Sequence, residues 1–273
     1  MSKNISKVAL YGVNIILGLI TILPILYALD ISIMPGDQAF SYPLKLIPRE
    51  LHFQNYLDVL NMAPIPRFIL NTFVVSTLIT AGQILISCAA AFAFSFFEFK
   101  GKKIIFILIL ATMMIPGEST IISNYLTFGE MGLLDTYRAL VIPFLGSAMG
   151  IFMIRQYYLI LPREIYEAAK IDGCNNFQFF LRIVLPMSKT VVGSFGVYTF
   201  LSSWNHYMWP LLVTSKDESR TVQIGISMLQ SVDNQSFGPI MAGIIMILIP
   251  SILIFVFGQK QLIEGMTSGA VKG

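Results

Sequence analysis

The clearest chemical pattern lies in a short polar segment, residues 162–186, between two long apolar stretches. It carries three cations and three carboxylates: Arg163, Lys170, Arg182, Glu164, Glu167 and Asp172. This balance differs from the polybasic segments that bind acidic lipid surfaces, and it suits a contact with another protein. A solvated connection whose charges only confer solubility would look the same, so the residues alone leave both interpretations open.

The remaining reactive side chains form no catalytic constellation. Cys88 and Cys174 suggest neither a disulfide framework nor a metal site, and His52 and His206 are far apart in sequence. The phosphate-binding pattern G-x-x-x-x-G-K-[ST] does not occur. We therefore expect a protein that is not an enzyme, with no metal or cofactor of its own and no nucleic-acid partner.

The polar segment has the signals of two helices joined by a glycine turn. Pro162 suits a first helical turn, and acidic side chains follow it where the helix macrodipole favours negative charge. Gly173 is placed at a helix end that needs positive φ, and Asn175 or Asn176 can cap a second helix. Pro186 then begins the next apolar stretch.

One face of the first helix is expected to meet a partner. The spacing i, i+3, i+4 and i+7 puts four residues on that face: Ile165, Ala168, Ala169 and Asp172. The two alanines make it narrow, so another surface can approach closely.

The elements that position this segment are predicted to be membrane helices. The 273 residues are 55% hydrophobic and only 12% charged, with a mean hydropathy of +0.74, whereas a soluble domain carries about 25% charge. A spanning helix needs about 20 mostly apolar residues. We predict an all-α membrane protein, one domain with six transmembrane helices, near residues 8–34, 68–97, 104–128, 137–161, 184–213 and 236–260. The third must extend past Glu118, or be tilted or broken near Pro116 and Gly117.

The basic residues indicate the orientation. Six spans place both termini on one side, and the positive-inside rule assigns that side to the cytoplasm. Of the 18 basic residues, the predicted outer segments keep only Lys45, Arg49, Arg67, Arg138, Lys216 and Arg220. The sequence thus predicts that both termini and the polar segment are cytoplasmic. In the fourth span Gly146 and Gly150 match the GxxxG pattern, which we interpret as ordinary intramolecular packing.

The polar segment resembles the signature of inner-membrane permease subunits of binding-protein-dependent ABC importers. That signature is Glu-Ala-Ala, three residues, Gly, nine residues, Ile, one residue, Leu-Pro. Every fixed position matches: Glu167, Ala168, Ala169, Gly173, Ile183, Leu185 and Pro186. Residues 204–211 and 265–273, and the shorter 114–118 and 132–137, resemble carbohydrate-uptake permeases, in particular the maltose-type second permease. His206 departs from that group, which often has an acidic or amide residue there.

The resemblance implies a fold, a location and partners. The fold would be that of a type I importer permease in the bacterial cytoplasmic membrane. A second permease would complete the translocation path, a cytoplasmic ATPase dimer would bind ATP and magnesium, and an extracytoplasmic binding protein would deliver a sugar. The polar segment would be the coupling helix, with contacts from Glu164, Glu167, Ala168, Ala169, Gly173 and Pro186. The C-terminal tail, with Ser268, Gly269 and Lys272, would reach the ATPase, and the outer loop 216–233 would reach the binding protein.

Polar side chains inside spans are costly in lipid and tend to face cavities or neighbouring helices. Candidates for the translocation path are Asn71, Glu118, Trp204, Asn205 and Tyr207. For the amides, including Gln83, the alternative is hydrogen bonding between helices. For Tyr207 and Trp209 it is an aromatic belt at the membrane surface.

Other functions remain as alternatives. A permease of the same family could carry glycerol-3-phosphate or another polyol. A secondary carrier usually has several intramembrane acids or bases for ion coupling, and here Glu118 is the one plausible buried acid. A channel, or a scaffold that binds a soluble partner without transport, is less favoured.

Overall fold

A computed structural model of the protein describes residues 2–39, 41–42, 47–232 and 237–267. These residues are mostly helical, and no strand occurs among them, which confirms the predicted all-α class. The helices follow one another in the order α1 (Ser2–Ser32), α2 (Gly36–Ala39), α3 (Gln54–Met62), α4 (Ile65–Phe96), α5 (Lys102–Ala111), α6 (Ile121–Glu130), α7 (Tyr137–Val141), α8 (Ala148–Leu159), α9 (Arg163–Ile171), α10 (Asn176–Phe179), α11 (Leu185–Met187), α12 (Lys189–Trp204), α13 (Met208–Val213), α14 (Val222–Val232) and α15 (Phe237–Thr267).

Three of these helices are long and apolar enough to cross a membrane: Leu10–Ser32 of α1, Ile65–Phe96 of α4 and Phe237–Gln261 of α15. Three further pairs qualify if each bent pair counts as one span. They are Lys102–Met114 with Gly117–Glu130, Tyr137–Phe144 with Ala148–Leu159, and Asn176–Met187 with Lys189–Trp204. The described residues therefore hold between three and six candidate spans.

The bends have local causes in the sequence. The first pair bends by 92° where Ile115, held in an extended conformation before Pro116, interrupts the helix. The second bends by 47° next to Ser147, whose hydroxyl caps the new helix by accepting the Gly150 N–H. The third bends by 75° at Ser188. The break near Pro116 is one of the alternatives that the sequence leaves open for the third span.

The chain divides into two compact units. The first unit consists of the residues up to Arg67 together with Ile224–Pro250. In it, the side-chain amide of Asn55 on α3 donates to the carbonyl of Ser32, the last residue of α1, and to the carbonyl of Met34. The second takes Phe68–Gln223 and the rest of α15, and contains all of the described site residues. Its core has one cluster beneath α9 and α10 and another around Trp209.

Candidate functional site

The polar segment forms the two helices that its sequence predicts. Helix α9 ends at Ile171, and Gly173, two residues further on, has φ +78°. The Cys174 N–H donates to the Ala169 carbonyl at 2.9 Å, and the Gly173 N–H donates to the Lys170 carbonyl at 3.1 Å. This pair of bonds is a Schellman motif, which favours glycine because the backbone is left-handed there. Asn175 caps α10 in a reciprocal capping box with the side chain of Gln178.

The inner face of α9 packs on aromatic rings. Tyr166 lies 4.9 Å from Phe179 and 5.6 Å from Phe96, measured between ring centroids. Phe96 and Phe92 of α4 are themselves 5.0 Å apart. Ala169 is buried in the same cluster, with 5% of its surface exposed. Close-packed interiors transmit displacement because they have few voids, so α9 is mechanically attached to α4.

The outer face of α9 is exposed and includes one residue, Ile171, that neither the residue pattern nor the family signature indicates. Glu164, Glu167, Ala168 and Ile171 follow the spacing i, i+3, i+4 and i+7, and all four are exposed. Ile171 has 85% of its surface accessible. We call these four residues the α9 stripe.

The face of α9 that the sequence predicted to be free for a partner is not the exposed one. Ile165 is half-buried and Ala169 is buried, whereas Ala168 and Asp172 are exposed, so these four residues do not form one free surface. Phe177 on α10 is exposed by 69% and was also missed. The signal for it was an apolar residue two positions after a helix cap in a polar segment.

The return to the membrane passes through a distorted helix. Residues Phe180–Val184 form a π-helical turn ahead of Pro186, which is exposed and has no N–H to continue the α-helical ladder. The bend that follows is fixed by Ser188, whose hydroxyl donates to the Val184 carbonyl at 2.9 Å. Tyr157 of α8 donates to the Met187 carbonyl at 2.8 Å. The segment is therefore held to the bundle at this end as well.

A cavity of about 450 Å³ brings together three of the predicted path residues. Glu118 lines it from the break before α6, while Asn205 and Tyr207 line it from the break between α12 and α13. His206, the position that departs from the carbohydrate group, lies between them with its ring 4.4 Å from that of Phe144.

The other two predicted path residues lie outside this cavity. Asn71 is buried, its amide nitrogen donates to the carbonyls of Glu218 and Arg220, and its oxygen accepts from the Tyr137 hydroxyl at 2.6 Å. All these bonds are structural, so Asn71 holds a loop instead of facing a ligand. Trp204 is 1% exposed and stacks on Phe200, so its ring faces are not open to a sugar.

The side chains of Gln83 and Trp209 form hydrogen bonds to other helices and turns of the protein. The Gln83 amide donates to the Phe144 carbonyl at 2.6 Å and accepts from the Thr199 hydroxyl at 3.3 Å. Trp209 is buried, and its indole N–H donates to the Ala139 carbonyl at 2.9 Å. The interpretation of Trp209 as part of an exposed aromatic belt is therefore wrong.

Asp135 fixes the start of the loop that precedes α14. It has φ +60°, a conformation that Asp tolerates better than most residues. Its carboxylate accepts from the backbone N–H groups of Ser215 (2.6 Å) and Lys216 (2.9 Å), and from the hydroxyls of Ser215 (2.8 Å) and Ser219 (3.3 Å). Burial raises the pKa of Asp135, but these hydrogen bonds outweigh it and lower the pKa to about 2. We call Asp135 and Asn71 together the loop clamp.

The remaining site prediction lies beyond what the structure describes. Ser268, Gly269 and Lys272 of the C-terminal tail fall outside the described residues.

The bent apolar helices and the exposed polar segment define a polytopic helical membrane protein. The chain belongs to the family of binding-protein-dependent transport system inner membrane components, whose profile matches residues 83–267. It is thus a permease subunit of a binding-protein-dependent ABC importer, located in the bacterial cytoplasmic membrane, and a transporter subunit instead of an enzyme. The predicted family, transport role and membrane location are therefore confirmed.

Relatives align along nearly the whole chain. It is 33% identical over 273 residues to the arabinooligosaccharides transport system permease protein AraQ of Bacillus subtilis (strain 168), covering 99% of this chain and 97% of the relative. It is 35% identical over 263 residues to the sn-glycerol-3-phosphate transport system permease protein UgpE of Yersinia enterocolitica, covering 93% and 94%.

The fold also matches solved structures. One is a bacterial ABC transporter involved in the import of the acidic polysaccharide alginate, with a TM-score of 0.82, 23% identity, and coverage of 95% of this chain and 97% of the other. Another is the alginate transporter in complex with a pentasaccharide-bound periplasmic protein, with a TM-score of 0.64, 15% identity and 94% coverage of each chain. At these identities the likeness establishes the type I importer permease fold.

Proposed function

We propose that this permease forms half of a transmembrane path for a neutral sugar, and that the α9 stripe docks on the ATPase of the same importer. The observation that carries the coupling role is the contrast between the two faces of α9. One face is packed on aromatic rings and the other presents two carboxylates, an alanine and an isoleucine to solvent. Burial of the exposed Ile171 side chain against a partner would remove apolar surface from water and so favour docking.

The packing of α9 gives docking a mechanical consequence. The ring contacts connect Tyr166 through Phe96 to α4, and Tyr158 of α8 lies 6.2 Å from Phe96. A displacement of α9 by closing ATPase subunits therefore moves α4 and α8 with it instead of being absorbed by a loose loop. Rigid-body motion of this kind is the general route by which transporters alternate access.

The charges in the cavity favour a neutral substrate. AraQ is named for arabinooligosaccharides and UgpE for sn-glycerol-3-phosphate, so the family alone leaves both chemistries open. Among the described residues that line the cavity there is an acid, Glu118, but no lysine or arginine. A phosphate would be repelled by Glu118 without a compensating cation. Amide, carboxylate and phenol groups instead suit the hydroxyls of a sugar.

The partners proposed are those that the resemblance implies. A second permease completes the path, and an ATPase dimer supplies ATP and magnesium binding. A sugar-loaded binding protein engages the outer side, where the clamped loop before α14 is presented. The C-terminal tail is proposed as a second ATPase contact.

The coupling proposal is tested by Ala168→Arg in the assembled importer. Because Ala168 is exposed on a helix, arginine fits the isolated permease without strain. At the interface it would overpack the docking site, and interior overpacking costs ~1–3 kcal/mol. We expect binding-protein-stimulated ATP hydrolysis and uptake to fall roughly tenfold or more, with unchanged membrane levels of the permease. Ala168→Ser, which keeps the small size, is the control. Normal uptake by the arginine variant would refute the docking role.

The substrate proposal is tested by uptake into proteoliposomes that hold the importer with its own binding protein. Radiolabelled arabino-oligosaccharide and glycerol-3-phosphate are compared directly. Accumulation of the sugar alone supports the proposal, whereas accumulation of glycerol-3-phosphate alone contradicts it.

A further inference from the structure

A cleft of about 780 Å³ lies between the turn that precedes α5 and the side of α8. Its charged lining consists of Glu98, Lys102, Lys103 and Arg155.

Two of these four charges neutralise each other. Lys102 Nζ donates to Glu98 Oε1 at 3.1 Å and to the Phe97 carbonyl at 2.7 Å. Its side chain is only 17% exposed, so the ammonium is held against the protein. The cleft thus retains the positive charges of Lys103 and Arg155.

Arg155 is held in place without an acidic partner. Its Nε donates to the Phe94 carbonyl at 3.3 Å, and its guanidinium lies over the Phe106 ring, 4.2 Å from the centroid. Within the described residues, neither Arg155 nor Lys103 has a carboxylate at ion-pair distance. The terminal N–H groups of Arg155 form a fork that suits the paired oxygens of a phosphate.

The position of the cleft and the apolar residues in it favour a lipid over a soluble anion as the ligand. Helix α5 is the first half of a candidate span, and Lys102 is its first residue, so the cleft lies at the end of a membrane segment, where lipid headgroups are. Ile104 and Ile107 also line the cleft and are 66% and 63% exposed. A free phosphate would leave these side chains uncovered, whereas an acyl chain would cover them.

We propose that this cleft binds one anionic phospholipid. Its phosphate contacts Arg155 and Lys103, and its acyl chain lies along Ile104 and Ile107. The start of α5 reinforces the site because the helix macrodipole is positive there. The bound lipid would tie α5 to α8 at the membrane surface.

The test is a titration of the purified full-length permease in neutral detergent, followed by native mass spectrometry. Phosphatidylglycerol is the probe, phosphatidylcholine the neutral comparison, and inorganic phosphate the soluble competitor. The Lys103→Gln, Arg155→Gln double variant removes both charges. An Arg182→Gln, Lys189→Gln variant removes two exposed charges elsewhere and serves as the control.

The wild type and the control are expected to retain one phosphatidylglycerol in preference to phosphatidylcholine. The double variant should lose affinity by roughly tenfold or more, since it removes both basic side chains that attract the headgroup. Lys103→Gln alone, an exposed position that does not disturb packing, should show part of the loss. Equal losses in test and control variants, no loss in either test variant, or displacement of the lipid by millimolar phosphate would each overturn the proposal.

Discussion

Two neighbouring alanines in α9 illustrate how much a single residue position decides. Ala169 is buried in the same cluster as Phe179, while Ala168 is exposed, although both belong to the same family signature. A small residue serves a different purpose at each position. At 169 it lets α9 approach the aromatic cluster closely, and at 168 it leaves room for a partner. The signature therefore combines an internal packing requirement with an external one.

Gly150 provides a prediction at this scale. A Cβ there would fall 2.5 Å from Ser87 Oγ and within 2.7 Å of the Phe195 ring. Gly150→Ala should therefore destabilise the permease by ~1–3 kcal/mol, the usual cost of overpacking, and lower its thermal unfolding midpoint in detergent. Gly146→Ala is the matched control, because a Cβ at position 146 meets open space. Equal midpoints for the two variants would show that this close packing of α8 does not matter for stability.

At the scale of elements, the sequence predicted what local chemistry determines. It predicted α9, the left-handed Gly173 and the cap of α10, and it named a break near Pro116 as one alternative, because caps, glycines and prolines act on their own neighbours. It did not predict which face of α9 is free. Ile165 and Ile171 are equally apolar, but Ile165 packs against the aromatic cluster that includes Phe96 and Phe179, whereas Ile171 is 85% exposed. Asn71 was assigned to the path for the same reason, since the Glu218 and Arg220 carbonyls that accept from its amide lie 147 and 149 residues along the chain.

The loop clamp gives a prediction at this scale. Asp135→Asn keeps the side-chain shape but removes the charge that accepts four hydrogen bonds from the loop. Trypsin sites at Lys216 and Arg220 lie in the clamped loop. We expect the variant to be cut there several times faster than the wild type, as estimated from the strength of hydrogen bonds to charged groups. Asp217→Asn, which breaks a partly buried ion pair with Arg220 in the same loop, is the control and should change little.

The pH dependence of the clamp follows from the direction of its pKa shift. The pKa of Asp135 is lowered in the folded protein to about 2, from 3.8. Its stabilising contribution is therefore complete above pH 3.8 and is lost only as pH falls through about 2. Protection of the wild-type loop against trypsin, corrected for the enzyme's own pH profile, should thus be constant across neutral pH. Loss of protection between pH 8 and 6 would contradict the assigned role.

At the scale of the whole molecule, segments that the charge pattern assigns to one side are in contact. Asp135 and Ser215, both predicted on or next to outer segments, are hydrogen-bonded. Lys102 and Arg155, both predicted at the cytoplasmic side, line one cleft. These contacts fit the predicted alternation of spans. Which side faces the cytoplasm is predicted by the charge bias alone and remains a prediction.

The orientation of the chain in the membrane can be measured by labelling single cysteines in intact cells. Lys100 and Lys216 are both exposed, so Lys100→Cys and Lys216→Cys, each in a Cys174→Ser background, accept a membrane-impermeant maleimide wherever it reaches them. Cys88 is buried and should not react. We expect labelling of position 216 from outside and of position 100 only after the membrane is opened. The reverse pattern would invert the topology and would move α9 away from the ATPase.

The central claim is that the α9 stripe, and not the inner face of α9, meets the ATPase. The most direct measurement is cross-linking in the assembled importer with a short thiol-to-amine reagent, in the Cys174→Ser background. Ile171→Cys places the thiol on the stripe, and Ile165→Cys places it on the inner face of the same helix. The account predicts a cross-link to the ATPase from position 171 and little from position 165. A cross-link from position 165 with none from 171, or none from either in a complex that hydrolyses ATP normally, would contradict it.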